Sequence, residues 1–306
     1  MADHRLSRAS EHLHYDWNRD REPVLRVAPG ETVAVACRDA ADGQLPRGAT
    51  VADVEAVDAP GHALTGPIHV TGAEPGDTLA VDVLSVEHEG VGWTYVYPGE
   101  ADVGLLPEEF PDGAVYTWDL EGDVGHFVNG IEVPLAPFPG VLGVTPAEPG
   151  PHSTTPPRRV GGNLDVKHLT PGATLYLPVE VAGALFSTGD LHAAQGDGEV
   201  CITAIEMPGT VRLRLRLADR DVDGPRLDPA GPYAPPGSDP TAVTGLGADV
   251  NEATREAVRG MIARLVDGGL TRQQAYMLCS VAVDLKVSEV VNDTVAVTAY
   301  TGVGPA

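Results

Sequence analysis

Three carboxylates and one imidazole fall within the run Gly189-Asp190-Leu191-His192-Ala193-Ala194-Gln195-Gly196-Asp197-Gly198-Glu199, spaced by three glycines. Upstream, Gly161-Gly162-Asn163-Leu164-Asp165 is a second glycine-rich segment ending in a carboxylate. Oxygen donors plus a histidine, held on tight turns, are what a catalytic divalent metal requires. Glycine lets the backbone bend sharply and approach a bound ion or substrate.

In extended chain, Asp190 and His192 are two residues apart and project from one face, as do Asp197 and Glu199. Residues 193–196 can fold the second pair back toward the first. Glu199 is expected to open an apolar strand over 200–205, at the rim of a sheet, and Asp165 to lead into another over 166–169. One histidine and two carboxylates would leave coordination positions open for water or substrate. The competing account is a succession of Asp-Gly turns with His192 on the surface, and Asp197 fits it best.

Other residues offer less. Arg158 and Arg159 beside Gly161-Gly162 could cradle an anion, but the spacing matches neither a P-loop nor a dinucleotide fingerprint. His62, His126 and His152 lie in loops and could approach the site. Cys201, two residues after Glu199, suggests a thiol nucleophile with an acidic neighbour, or a small buried residue. No Gly-x-Ser-x-Gly elbow is present to seat a serine nucleophile.

The elements that must position these groups read as β-structure. Apolar runs at 23–27 and 32–37, 67–70 and 78–84, and 166–169 and 174–179 are separated by Pro-Gly turns. This grammar predicts a mainly-β fold, a β-sandwich core with long loops, within residues 1–218. Residues 91–160 read as turn-rich insertions that wall the site. Residues 219–240 read as a Pro/Gly/Asp-rich linker, and 241–306 as a small α+β unit packed on the core. In that unit Ala253, Ala257, Met261 and Leu265 recur at helical spacing after Asp249 or Asn251 as cap. A second helix starts at Thr271, and a strand follows over 295–300.

Composition narrows the function. The 306 residues carry 44 acidic against 20 basic side chains, a net charge of -24 that repels phosphate backbones and anionic lipids. Nucleic-acid and membrane partners are therefore not expected. No apolar stretch reaches the roughly 18 residues of a membrane span, and the N-terminus shows no signal-peptide pattern. With only Cys37, Cys201 and Cys279, there is no disulfide framework, and the expectation is a cytoplasmic protein.

The run from Gly183 to Cys201, with Gly161-Gly162-Asn163-Leu164-Asp165 and Leu175-Tyr176-Leu177-Pro178-Val179, resembles the acetamidase/formamidase family. The resemblance extends to His14-Tyr15-Asp16-Trp17-Asn18, Thr65-Gly66-Pro67-Ile68, Pro137-Phe138-Pro139-Gly140-Val141-Leu142-Gly143 and Ala275-Tyr276-Met277-Leu278-Cys279-Ser280, nearly the whole chain. It implies hydrolysis of short aliphatic amides to a carboxylate and ammonia, on a β-sandwich with a divalent metal, zinc first and calcium or manganese as alternatives. On this reading Asp165, Asp190 and His192 hold the metal and Glu199 moves the proton, although Glu199 and Asp190 can exchange roles. Trp17, Trp93, His126 and Asn163 are the expected substrate-pocket residues, closing a space suited to short acyl chains. The rival readings are a thiol amidase using Cys201 and a non-catalytic, metal-dependent small-molecule binding protein. A homo-oligomer is expected.

Overall fold

Along the strand Thr32–Cys37 the side chains alternate, with Val33, Val35 and Cys37 turned inward. The strand Gly209–Ala218 repeats the pattern, burying Val211, Leu213 and Leu215 while Arg212, Arg214 and Arg216 point outward. The two pair antiparallel, Val211 opposite Val35, and Gly209–Ala218 pairs on its other edge with Thr78–His88. These strands lie side by side toward one edge of a nine-stranded sheet in the computed structural model, which describes residues 2–99, 103–237 and 240–304.

A twelve-stranded sheet faces it. Its middle strands are Glu206–Met207, Phe186–His192, Phe138–Gly143 and Gly161–Asn163. Ile68, Phe138, Leu142, Phe186 and Leu191 of this sheet join Val33, Val81, Leu175 and Leu213 of the first in one buried apolar cluster. Each such side chain contributes about 1.5–3 kcal/mol by leaving water. The protein is thus a mainly-β sandwich with a small C-terminal helical unit.

The C-terminal unit shares the first sheet. Thr241–Gly247, Val295–Thr301 and Asp284–Glu289 extend it beyond the strand Arg226–Asp228. Helix Val250–Asp267 is capped by Asp249, whose side chain accepts from the Glu252 amide, and Arg272–Ala282 by a Thr271–Gln274 capping box. A Cβ at Gly245 would lie 2.1 Å from the Ala257 amide nitrogen, so glycine lets the first helix lie directly on the strand.

Three expectations are corrected. The segment 219–240 is not a free linker, because Leu227 is buried and its strand pairs on both sides, with Thr174–Pro178 and Thr241–Gly247. Residues 166–169 form a turn and 200–205 an irregular segment, not strands. Left-handed backbone at Asp165 (φ 47°), Glu199 (φ 48°) and Ile202 (φ 78°) bends the chain away from β geometry at both places. Residues 91–160, read as loops, also carry Val91–Val96, Ala114–Glu121, Val124–His126, Glu132–Pro134, Phe138–Gly143 and Pro157–Arg158, six strands of the larger sheet.

Candidate active site

The strand Phe186–His192 is buried at every position and is the spine of the site. On one edge His192 pairs with Glu206. On the other it pairs with Phe138, and the Phe138–Gly143 strand in turn sets Val141 opposite Asn163, just before the chain turns at Asp165. Adjacent strands therefore deliver Asp165, Asp190, His192 and Glu206 to one place, and the loop after His192 returns Glu199 to them. Asp165, Asp190 (φ 52°) and Glu199 all hold left-handed backbone, which costs a non-glycine residue roughly 1–2 kcal/mol and marks functional sites.

His192 Nε2 lies 3.3 Å from Asp190 Oδ2 and 3.2 Å from Glu206 Oε2. Donor atoms of Asp165, His192 and Glu199 lie within 4.8 Å of one another, as do those of Asp190, His192 and Glu206. Asp165 Oδ1, Asp190 Oδ1 and Glu206 Oε2 are buried without a hydrogen-bond partner. A Cβ on Gly140 would stand 2.7 Å from Asp165 Oδ1 and 2.9 Å from His192 Nε2, so this glycine keeps open a space between donors. Among the described residues no lysine or arginine lines the cavity that holds the four carboxylates. Orphaned oxygens, a space kept open by glycine and four crowded carboxyl groups with no lysine or arginine beside them fit a divalent cation held by carboxylates and one imidazole.

Electrostatics follow from burial and crowding. Burial, then the neighbouring charge of Asp165, holds the Glu199 carboxyl well above the usual range. Burial likewise raises Asp165 far up and Glu206 to about 7. For Asp190 burial acts upward, but the His192 charge and hydrogen bond outweigh it and keep this carboxylate low. Burial disfavours the charged His192 ring, yet Glu206 and Asp190 together raise its affinity for a proton. These directions describe the cluster without a cation.

The remaining ring nitrogen of His192 is held by Gln195. The Gln195 amide nitrogen donates to the Asp165 carbonyl at 2.9 Å and to the Ser288 carbonyl at 3.3 Å. Two carbonyl partners fix which end of the amide is nitrogen, so Gln195 Oε1 must face His192 Nδ1, 2.8 Å away. Nδ1 therefore carries a hydrogen, and in the neutral ring Nε2 presents its lone pair to the carboxylates.

The site opens into a cavity of about 340 Å³ lined by Asp165, Asp190, Glu199, Glu206, Asn163 and His62, with Tyr95, Tyr97, Val57, Val103 and Ile202 among its other walls. Of the expected pocket residues only Asn163 lines it. Trp17 is fully buried against Leu64 and Val141. Trp93 packs with Ala41, Leu45 and Val54, and its indole donates to the Pro46 carbonyl. His126 sits on an outer strand between Glu121 and Glu132. Apolar neighbours draw both tryptophans inward instead.

His62 reaches the cavity, its Nε2 4.0 Å from Asp190, whereas His152 pairs with Trp17 in a separate two-stranded ribbon. Asp197 turns outward to Lys167, 3.0 Å away. Cys201 is half-exposed, contacts the Thr203 carbonyl and does not line the cavity. Arg158 and Arg159 lie elsewhere, Arg159 paired with Glu180. Ser187 lies 2.8 Å from His14 Nε2 in a nucleophile–base pose, but both are buried and neither lines the cavity.

Glu206 was missed in the sequence. Its signal was a lone carboxylate between Ile205 and Met207 in an apolar run, a position that burial penalises unless the charge is used.

The fold and site define a mainly-β sandwich protein with a buried acid–histidine cluster at the floor of a cavity. The chain belongs to the acetamidase/formamidase family, whose model matches residues 2–153 and 149–301. It is 30% identical to the acetamidase of Mycolicibacterium smegmatis, over 87% of this chain and 84% of that protein. It is 29% identical to the formamidase of Methylophilus methylotrophus, over 88% and 83%. The crystal structure of acetamidase from Bacillus halodurans superposes with a TM-score of 0.86 at 31% identity, over 97% of this chain and 96% of that one. The protein is accordingly an amidohydrolase.

Proposed function

We propose that the protein hydrolyses short aliphatic amides such as formamide and acetamide to a carboxylate and ammonia, with a divalent metal at the cluster. The observation that carries this reading is the set of unpartnered buried oxygens of Asp165, Asp190 and Glu206, clustered with His192 at the floor of the cavity, in a chain of this family. Asp165, Asp190 and His192 would hold the ion, with Glu206 as a further donor. One imidazole with several carboxylates suits zinc first, then manganese or calcium. Such an ion polarises a carbonyl and acidifies water.

The chain's own groups do the rest. Glu199 binds a proton more readily than an exposed carboxylate, which suits a group that takes one from the attacking water and returns it to the amide nitrogen. That return matters because an amide nitrogen leaves poorly unless protonated. Asn163, with a buried unpartnered Oδ1, can receive the substrate's N–H and orient it.

The test is an ammonia-release screen over small amides, with elemental analysis before and after chelation. Near-stoichiometric metal is expected, with turnover lost on chelation; full activity of metal-free protein would refute the metal. Glu199→Gln should lower kcat at least a hundredfold with metal retained. Iodoacetamide should leave activity intact, because Cys201 does not line the cavity.

A further inference from the structure

The cavity has two unlike ends. Asp165, Asp190 and Glu206 are 2%, 4% and 3% exposed and form its floor, while Tyr97 at the rim is 37% exposed. Val57, Val103 and Ile202, all half-buried, and the edge-to-face pair of Tyr95 and Tyr97, whose ring centroids are 5.6 Å apart, line the same cavity alongside the polar His62, Thr155, Asn163 and Asn292. The main chain at Tyr95 is held in place. Its amide and carbonyl are both bonded to the Thr203 hydroxyl, on the segment that leads to Glu206.

The polar groups at the floor are enough to hold a carboxamide. The apolar wall above has no counterpart in formamide, and only one methyl group of acetamide could touch it. A volume of about 340 Å³ also lies at the lower edge of the roughly 300–1,000 Å³ range of sites that enclose drug-sized ligands. The geometry points to primary amides with an apolar acyl group larger than acetyl, a medium-length alkyl chain or a single ring, as preferred substrates. The amide lies on the acid–histidine floor and the acyl group lies against Val57, Val103, Ile202 and the two tyrosines. This inference rests on the amide-hydrolase reading above and extends it from reaction to substrate.

The experiment compares kcat/KM of the metal-loaded protein for formamide, acetamide, butyramide, hexanamide and benzamide by ammonia release. Each methylene that leaves water against the wall should raise kcat/KM about fourfold, so hexanamide should exceed acetamide at least tenfold. Turnover of acetamide with no gain for longer chains would overturn the inference while leaving amide hydrolysis standing. Ammonia from none of the amides would refute the hydrolase reading instead. A binding measurement then still decides the inference: titration of the Glu199→Gln protein should show hexanamide at least tenfold tighter than acetamide, and equal affinities would overturn it. Val57→Phe, which fills the apolar wall, should lower the hexanamide-to-acetamide ratio of kcat/KM at least fivefold, and an unchanged ratio would remove Val57 from the acyl site.

Discussion

Gly140 supplies space, and its carbonyl accepts from the Leu164 and Asp165 amides. Its backbone is not left-handed, so alanine is conformationally acceptable there, yet the added methyl would stand within 2.7 Å of Asp165 Oδ1 and of His192 Cε1. Gly140→Ala should therefore fold normally and lose metal, read as a thermal midpoint close to the parent's in chelator together with sub-stoichiometric metal by elemental analysis. Full occupancy would show that the ion sits elsewhere. At this scale the sequence was legible where side-chain chemistry advertised itself. Asp165, Asp190, His192 and Glu199 stand out as carboxylates and an imidazole on glycine turns, and the structure brings them together. Trp17, Trp93 and His126 stood out equally by type, but size and aromaticity do not say which way a side chain points.

Two elements meet at Gln195. The loop after His192 rests on the strand Asp284–Glu289, where the Ser288 carbonyl accepts from Gln195 and from the Gly198 amide, and Gly198 bridges to Glu289. A strand of the C-terminal unit thus backs the loop that carries Glu199 and sets the tautomer of His192. Gln195→Leu removes the acceptor at Nδ1 and should weaken metal binding about 10- to 100-fold. In ¹⁵N-histidine-labelled protein the His192 signals should change from a single Nδ1–H tautomer to a mixture. Gln195→Glu keeps an acceptor facing the ring and should preserve the tautomer; if both variants bind metal like the parent, Gln195 does not position the ring. No local pattern announced this contact, since Gln195 and Ser288 are 93 residues apart.

Across the whole molecule, buried histidines couple stability to pH. His14 and His168 are both lowered to about 4, chiefly because burial disfavours their charged forms. The unfolded chain takes up these protons near 6.5, so the stabilisation is complete above that pH and is lost as pH falls through about 4. Each contributes on the order of 3 kcal/mol in that window. His168 packs against Tyr233 and Tyr300 with neither ring nitrogen bonded, so His168→Phe keeps the ring contacts and removes the proton site. Urea midpoints of this variant should match the parent's at pH 7 and fall less steeply between pH 6.5 and 4. A slope equal to the parent's would show that His168 is charged in the fold. Near Tyr233 and Tyr300 also stand the chain's two lysines, Lys167 and Lys286, each over one of these rings. The C-terminal unit is therefore continuous with the sandwich through sheet, aromatic and cationic contacts, which a reading of residues 219–240 as linker could not show.

The sequence by itself determined the local elements and the chemical inventory. Period-two burial, Pro-Gly turns and helix caps act between near neighbours, as do the carboxylates and histidine placed on glycine-rich turns. Only the tertiary structure decided which donors converge, that Glu206 lies among them, and that apolar side chains line part of the cavity above. Those outcomes depend on strand order and on side-chain direction across sheets, where a left-handed φ at Asp165, Asp190 or Glu199 redirects a carboxylate. Such directions are settled by packing between distant segments, which one-dimensional spacing does not encode.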